Sequence, residues 1–372
     1  MLIVYRYRVK SNTGLLNKQA RSVNYVFNYC NETQSSALRW GRRWPTGFDL
    51  NRLTTGSAKD LGLHSGTVNA VCEQYAKSRS SSGRRMLRWR TSKRSLGWVP
   101  VKGRNVKETP DGFHFHGREF KVFKSRALPG GAKIKDGTNF SCDRKGNWFL
   151  NVCIEVAEAP ARQVREGVGI DLGLNTFATL STGEAVENPR HFRALEARLA
   201  NAQRAGKKRL ATGINAKICN ARRDFLHKLS TRIVSEYDYI AVGNASSAKF
   251  ARTRLAKSVY DAAWSSFRYQ LAYKAMRHGA TFEQVDESWS TRTCNICGLV
   301  AGPKGRAGLK KRIWICGCGT THDRDVNAAR NILLRGSGQG TPVEGAQASG
   351  HRELSSSPPC LAITSLRLEV AP

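Results

Sequence analysis

Acidic residues are scarce in this chain of 372 residues, which has 28 Asp and Glu against 61 Lys and Arg. The formal charge of +33 and the isoelectric point near 10.3 argue against a small anionic substrate as the sole partner and indicate a polyanion. Hydrophobic residues make up 40% of the chain, which excludes a wholly disordered basic polypeptide. Length and composition together predict two or three folded domains.

Long apolar runs are also missing, since no segment approaches the roughly 18 to 20 residues that a membrane helix needs. The opening segment MLIVYRYRVK has no apolar signal region, so we expect a cytoplasmic protein. Cysteine pairs typical of a disulfide framework are lacking. Of ten cysteines only four are clustered, which in a reducing compartment favours metal binding.

The positive charge is unevenly distributed along the chain. Residues 336–372 carry a net charge of −1, and their low apolar content predicts a disordered tail. Residues 39–94 contain 13 basic and three acidic residues, with tryptophans interleaved. This mixture suits phosphate contacts and base stacking, although a solvated helix face over core tryptophans is the alternative. The predicted nucleic-acid contacts here are Arg39, Arg42, Arg43, Arg84, Arg85 and Arg88.

The hydrophobic period changes three times and predicts an α+β multidomain fold. Residues 2–9 alternate as a strand, residues 11–90 follow helical spacing, and residues 95–158 alternate again, which predicts a small antiparallel barrel with inserted helices. From residue 168 onward a mixed sheet is expected. Its elements are an opening hairpin, helices near 189–204 and 208–236, a strand at 239–242, a helix at 255–278, a strand at 280–285 and a last helix from about 325.

Four cysteines carry the strongest chemical signal. Cys294 and Cys297 form a Cys-x2-Cys pair, Cys316 and Cys318 form a Cys-x-Cys pair, and a glycine follows each pair. Four thiolates suit a structural zinc ion without an open position, so this metal is not expected to be catalytic. Because the second pair is one residue short, all four need not bind. His322 is then a substitute ligand or a hydrogen-bonded loop residue.

Carboxylates follow apolar strands or open helices at two further places. Asp171 ends a strand, where a buried charge needs compensation, and is either a turn cap or a metal ligand. Asp325 opens the last helix and is either an N-cap or a ligand. Asp323, two residues earlier, is predicted to be a turn or salt-bridge residue.

Three motifs, GIDLGLNTFATLSTG, CNICG with CGCG, and HDRDVNAARNIL, resemble the TnpB family of insertion-sequence-associated RNA-guided DNA endonucleases, relatives of type V CRISPR effectors. The resemblance implies two Mg²⁺ ions, one structural Zn²⁺, an element-encoded guide RNA and a double-stranded DNA target with an adjacent recognition motif. It also implies a domain order. This comprises a β-barrel wedge (1–10 and 91–160), a helical recognition lobe (11–90), a RuvC-like nuclease of RNase H fold (161–288 and 320–335), a zinc ribbon (289–319) and a tail (336–372).

The family's first and last catalytic aspartates correspond to Asp171 and Asp325, but its usual glutamate corresponds to Gly243. The fourth and fifth strands of such a sheet are parallel neighbours about 4.8 Å apart, so Glu287 can reach the vacant position from the next strand. The context SAKFARTRLAKSVYDAAWSSF resembles a branch with a relocated glutamate. Asp286 ranks second as the replacement.

Two other functions stay open at this point. Without a replacement for the glutamate, the protein is an RNA-guided DNA binder that does not cut, and charge alone is also compatible with a generic zinc-ribbon nucleic-acid-binding protein. Further nucleic-acid contacts are predicted along the long basic helix and next to the last aspartate. These residues are Lys207, Lys208, Arg222, Arg223 and Arg324.

Overall fold

The computed structural model describes residues 1–91, 95–244, 256–308 and 311–338. The chain divides into two compact units, of which the first contains Met1–Val156 and the second begins at Ala157. Most of the predicted disordered tail and most of the segment SAKFARTRLAK lie outside the described residues.

Eight strands form an antiparallel sheet in the first unit. They are β1 (Leu2–Val9), β2 (Trp98–Pro100), β3 (Val106–Glu108), β4 (Gly112–Phe115), β5 (Arg118–Phe123), β6 (Lys133–Ile134), β7 (Asn139–Cys142) and β8 (Trp148–Glu155). Their order is β2-β7-β8-β1-β5-β4-β3, with β6 also on β8. Strand β1 lies between β8 and β5. Its side chains alternate between the two faces of the sheet, and Tyr5, Tyr7 and Val9 are buried on one of them.

The predicted barrel therefore differs from the observed ladder. In the described residues the hydrogen-bonded path has two ends, at β2 and β3, and does not close. Both end strands have three residues and are connected through a short 3-10 turn at Gly103–Asn105. Such short strands offer few ladder bonds, so this part of the chain forms a sheet with two edges.

The helical insertion contains α1 (Thr13–Arg39), α2 (Gly47–Leu53) and α3 (Ser65–Ser82). Helix α2 begins at a capping box in which Thr46 and Asp49 exchange hydrogen bonds. Apolar side chains at helical spacing bring Phe27 of α1 edge-on against Tyr75 of α3, with ring centroids 5.2 Å apart. The insertion and the sheet share one hydrophobic core.

A five-stranded mixed sheet forms the centre of the second unit. Its strands are β9 (Gly167–Leu172), β10 (Thr176–Leu180), β11 (Ala185–Glu187), β12 (Tyr239–Gly243) and β13 (Thr281–Val285), in the order β11-β10-β9-β12-β13. Strand β12 runs parallel to both β9 and β13. This confirms the prediction that the fourth and fifth strands are parallel neighbours, so their carboxyl ends meet at one edge.

Five longer helices belong to this unit in the described residues, namely α4 (Glu196–Arg204), α5 (Lys208–Glu236), α6 (Ala256–Ala262), α7 (Trp264–His278) and α9 (Arg324–Gly336). The single helix predicted for 255–278 is wrong, because Ala263 adopts a positive φ of 53° and separates α6 from α7. A continuous helix would place Ala262 and Trp264 on opposite faces. The break allows both to be buried in the same core.

A short hairpin leads into the last helix. It comprises β14 (Ile313–Ile315) and β15 (Thr321–Asp323), preceded by the single turn α8 (Gly305–Gly308). Asp323 accepts hydrogen bonds from the backbone N–H groups of Asp325 and Val326, so Asp323 is the N-cap of α9. Helix α9 lies close to β9, since a Cβ at Gly169 would be 2.0 Å from the carbonyl oxygen of Ala329. In the described part of the chain, no helix is long and apolar enough to cross a membrane.

Candidate metal sites and nucleic-acid interface

Strand topology brings Asp171 and Glu287 to the same edge of the second sheet. Asp171 lies at the carboxyl end of β9, and Glu287 follows β13 by two residues. Strand β12 lies between them and ends at Gly243, which pairs with Val285 of β13. The negative charge of Glu287 acts on Asp171. This is expected if the Glu287 side chain reaches across one strand spacing.

Gly243 leaves space for the side chain of Glu287 at the tip of β12. A Cβ built at Gly243 would lie 2.6 Å from Oε2 and 3.3 Å from Cβ of Glu287. Even an alanine side chain at the tip of β12 would therefore displace the glutamate. The residue that departs from the family pattern and the residue proposed to replace it occupy the same space.

The surroundings raise the pKa of Asp171 to about 7, first through burial and then through the negative charge of Glu287. The positive charge of Arg324 opposes this shift. The charge of Arg324 does not fully offset burial and the like charge, so further positive charge would stabilise the ionised form of Asp171. Carboxylates are the ligands that hard divalent cations prefer, so the chemistry of Asp171 and Glu287 fits such a cation.

Asp286 does not compete for this position. Its side chain is exposed and accepts hydrogen bonds from the backbone N–H and hydroxyl of Ser288, at 3.3 and 3.0 Å. This places Asp286 in a local turn. The arrangement favours Glu287 over Asp286, as expected from the alternation of side chains along a strand.

Asp325 is held by arginines. Its carboxylate forms ion pairs with Arg312, which directly precedes β14, and with Arg324, the latter at 3.1 Å. The predicted convergence of Asp171, Glu287 and Asp325 is therefore incomplete. Among the described residues, the three carboxylates do not form a tight ligand group, because two guanidinium groups already neutralise Asp325.

The four cysteines do converge. Their sulfur atoms all lie within 4.8 Å of one another, with Cys297 and Cys316 at 3.5 Å and Cys294 and Cys318 at 3.8 Å. A tetrahedral zinc site with Zn–S bonds of about 2.3 Å has sulfur atoms about 3.8 Å apart. The Cys-x-Cys pair thus delivers two thiols despite its short spacing, and the donor set fits a closed structural zinc site.

Two neighbours of the thiols fit this assignment. His322 is buried, lies 3.1 Å from the sulfur of Cys294 through Nε2 and stacks near Trp314. Burial lowers the pKa of His322, which keeps its ring neutral and able to donate to a thiolate. Hydrogen bonding with Thr320 lowers the pKa of Cys318 to about 6, which favours the thiolate form that metals bind.

Nine of the eleven basic residues predicted to contact nucleic acid are exposed, and the remaining two are engaged by carboxylates. Arg222 forms a 2.8 Å ion pair with the buried Asp261, and Arg324 contacts Asp325. The exposed residues are Arg39, Arg42, Arg43, Arg84, Arg85, Arg88, Lys207, Lys208 and Arg223.

Aromatic side chains accompany the exposed arginines of the first unit. Trp40 and Trp89 have 68% and 51% of their surface accessible, and Trp44 has 38%. Their exposure favours the nucleic-acid interpretation over core tryptophans, since solvent-facing indole rings provide stacking surfaces.

Sequence reasoning missed two arginines at the carboxylate edge. Arg312 reaches Asp325 because the hairpin register places it beside Arg324, whose N–H donates to the Arg312 carbonyl at 2.7 Å. Arg268 of α7 donates to the carbonyl oxygen of Gly243 at 3.3 Å and interacts electrostatically with Glu287. A basic residue next to a hairpin or on a helix is a weak signal, because only tertiary structure defines its target.

Fold and site together define a mixed α/β protein in which a four-thiol cluster lies close in sequence to a carboxylate-bearing sheet edge. Two family models match parts of the chain. One, described as "Cas12f1-like, TNB domain", matches residues 264–332. The other, described as "Probable transposase", matches residues 151–252.

Curated relatives agree with these matches. A "Putative RNA-guided DNA endonuclease" of Streptomyces pristinaespiralis is 41% identical over 226 residues, which are 57% of this chain and 55% of that protein. The "Putative RNA-guided DNA endonuclease InsQ" of Escherichia coli K12 is 29% identical over 220 residues, 51% of this chain and 54% of the relative. The chain spans about half the length of these curated relatives.

A "TnpB-like protein" of Acanthamoeba polyphaga mimivirus is 28% identical over 141 residues, 35% of this chain and 26% of that protein. In fold, the chain resembles Cas12f1 from a complex with sgRNA and target DNA, with a TM-score of 0.57 and 12% identity over 86% of this chain and 82% of Cas12f1. The resemblance to the TnpB family predicted from the motifs is confirmed.

Proposed function

We propose that this protein is an RNA-guided DNA endonuclease of a transposable element, acting in the prokaryotic cytoplasm on double-stranded DNA. The observation that carries the proposal is the placement of Glu287 in the space left by Gly243, beside Asp171. This arrangement supplies a carboxylate pair at the sheet edge where the family pattern alone leaves a gap. The relatives' printed names support the same activity.

The nuclease site consists of Asp171, Glu287 and Asp325, which we assign as the ligands of two Mg²⁺ ions in a RuvC-like domain of RNase H fold. Bound magnesium lowers the pKa of water and stabilises charge on the departing 3′ oxygen. The role of Asp171 is to lose its proton as the cation binds, since its pKa of about 7 lies near working pH. Glu287 contributes its carboxylate from the neighbouring strand.

Asp325 would complete the metal-binding site once at least one of its arginines is released. Arg312 and Arg324 form ion pairs with its carboxylate. A carboxylate balanced by two guanidinium groups has little electrostatic need for a further cation, so release of at least one arginine accompanies assembly of the full site. The phosphates of a bound nucleic acid are natural alternative partners for a released arginine.

The zinc ribbon, which we assign to residues 289–319, holds one structural Zn²⁺ through Cys294, Cys297, Cys316 and Cys318. The exposed basic residues of the two units contact guide RNA and target DNA through phosphates. Sequence choice then belongs to base pairing between guide and target. The excess charge of the chain matches such a cargo.

The test is plasmid cleavage by protein purified with co-expressed guide RNA, using a matched target with a randomised flank and Mg²⁺. Wild type should cut, and Glu287→Gln should lose at least about 100-fold in rate because one metal ligand is missing. Asp286→Asn removes a neighbouring carboxylate of equal charge and should cut like wild type.

Three outcomes would overturn parts of this assignment. Cleavage that survives Glu287→Gln excludes Glu287 as a ligand. Target binding without any cutting identifies an inactive RNA-guided binder. Binding that ignores the RNA sequence identifies a generic zinc-ribbon nucleic-acid-binding protein.

A further inference from the structure

One stripe of helix α9 holds the backbone of the segment that carries Glu287. Asn327, Asn331 and Arg335 are spaced four residues apart, which places them on one helix face. All three donate hydrogen bonds to backbone carbonyl oxygens within residues 286–293. This stripe therefore contacts the connection between strand β13 and the first cysteine pair.

Arg335 forms hydrogen bonds with the backbone on both sides of Glu287. Its Nη1 donates to the carbonyl oxygen of Asp286 at 2.8 Å and to that of Ser288 at 2.7 Å. These carbonyls belong to the two residues that flank the glutamate. The guanidinium group thus fixes the backbone direction at Glu287 without touching its side chain, and charge-assisted bonds of this kind are stronger than neutral ones.

The two asparagines share a pair of acceptors further along the segment. Nδ2 of Asn331 donates to the carbonyls of Ser290 and Thr293 at 2.8 and 2.6 Å, and Nδ2 of Asn327 donates to the same carbonyls at 3.1 and 2.8 Å. Both asparagines are buried, with 6% and 1% of their surface accessible. Hydrogen bonds in such a place are costly to remove, because the acceptors have no water to replace the donor.

The stripe also reaches the thiol cluster. Oδ1 of Asn327 accepts from the backbone N–H of Asn295 at 3.0 Å, inside the Cys294–Cys297 turn. The backbone N–H of Ser290 donates in turn to the carbonyl of Glu287 at 3.1 Å. A continuous set of hydrogen bonds therefore connects the first cysteine pair, the asparagines and the residue Glu287.

We propose that Asn327, Asn331 and Arg335 are positioning residues that direct Glu287 toward Asp171 and couple zinc binding at the thiols to divalent-metal binding at the carboxylates. The proposal rests on the function proposed above. It explains how a glutamate beyond the end of its strand holds a defined position. Beyond the end of β13 the backbone N–H of Glu287 donates to Oδ1 of Asn244 at 3.4 Å, and the stripe adds shorter bonds to the carbonyls on either side of the glutamate.

Manganese binding to the full-length protein tests this directly, with free Mn²⁺ measured by electron paramagnetic resonance. Arg335→Ala should weaken Mn²⁺ binding about 10-fold, the usual effect of losing a group that orients a ligand. Arg335→Lys keeps a donor and should recover part of the affinity. Arg330→Ala, on the same helix but directed to Ser181, is the matched control and should bind like wild type.

The coupling between the zinc site and the carboxylate site is tested by measuring Mn²⁺ binding with and without zinc. Chelation of zinc should weaken Mn²⁺ binding in the wild type, because linkage makes each metal favour the other. In the double variant Asn327→Ala, Asn331→Ala, chelation should cause no further loss, since the connection is already broken. A role limited to stability predicts lower thermal stability in these variants with unchanged Mn²⁺ affinity and unchanged zinc dependence.

The outcomes separate the two proposals. If the wild type binds no more Mn²⁺ than Asp171→Asn, the carboxylate site itself is wrong and the positioning role falls with it. If wild type binds Mn²⁺ and all stripe variants bind equally well, with full zinc dependence, the carboxylate site stands and only the positioning role is wrong.

Discussion

The thiol cluster and the carboxylate edge differ in how far their ligands have already converged. All four cysteine sulfurs lie within 4.8 Å of one another. At the carboxylate edge Asp171 and Glu287 interact, while Asp325 is paired with arginines. The thiol site is preassembled, whereas the site that we propose for Asp171, Glu287 and Asp325 needs a rearrangement before the three carboxylates can share a metal.

The difference follows from chemistry. The thiols of a structural site can stay together permanently, and the hydrogen bonds of Cys294 with His322 and of Cys318 with Thr320 do not separate them. Carboxylates that bind Mg²⁺ must also release it or exchange water, and a cationic side chain can neutralise them when no metal is bound. The preassembled site therefore suits structure, whereas the incomplete one suits a reaction that depends on substrate.

The largest expected effect concerns the thiol cluster. Cys316→Ser removes one of four converged thiols and should reduce zinc from one ion per chain to near zero, because a structural site depends on all four ligands. Native mass spectrometry or metal analysis measures this. Cys219→Ser, an exposed cysteine on α5, is the control and should retain zinc. Equal zinc content in both variants would contradict the assignment.

A smaller and opposite effect is expected at the carboxylate edge. Arg312→Ala removes one of the two arginines on Asp325 and should tighten Mn²⁺ binding by roughly 3- to 10-fold, since a hydrogen-bonded charge pair contributes about 1 kcal/mol or more. Lys311→Ala removes the same charge from the adjacent position and should change affinity less. Weaker binding in Arg312→Ala would show that the arginine supports the metal site instead of competing for it.

The pKa of Asp171 predicts a change in stability with pH. Its folded value of about 7 lies above the ordinary 3.8, so the folded state binds the proton more tightly and the unfolding free energy should fall between about pH 4 and pH 7. Asp171→Asn should remove this decline and stabilise the protein at pH 8 by roughly 1 to 2 kcal/mol, with little effect at pH 4. Chemical denaturation at the two pH values measures it, and equal stability at pH 8 would contradict the buried charge.

The same titration predicts how metal binding depends on pH. Because a cation must displace the proton of Asp171, Mn²⁺ affinity should rise from pH 5 to about pH 7 and then level off. A Mn²⁺ affinity that stays constant across this range would argue against Asp171 as a ligand.

Local pattern predicted most elements of the fold. The strand at residues 2–9 and the helix at 208–236 follow from periodicity and end signals, whereas the parallel pairing of β12 and β13 was expected from the family resemblance. The break at Ala263 was not predictable, since both halves have helical composition and only burial against one core separates them. The sheet edges at β2 and β3 likewise depend on pairing over long distances.

The two candidate sites could likewise be predicted only in part from the sequence. The cysteine cluster could be predicted from its short spacing in the sequence. The neighbouring-strand argument for Glu287 also needed the strand order that the family resemblance implies. The partners of Arg222, Arg312 and Arg335 could not, because each arginine reaches an acceptor whose position depends on tertiary packing. Basic residues in a chain with 61 of them also look alike in sequence.

The central claim is that Glu287 replaces the glutamate missing at Gly243, and moving the carboxylate back tests it most directly. Guide-dependent plasmid cleavage should be lost in Glu287→Ala and partly restored in the double variant Gly243→Glu, Glu287→Ala, because removal of the Glu287 side chain vacates the space at the tip of β12. Gly243→Glu alone should be impaired by the collision between the two side chains. Full activity in Glu287→Ala would contradict the account.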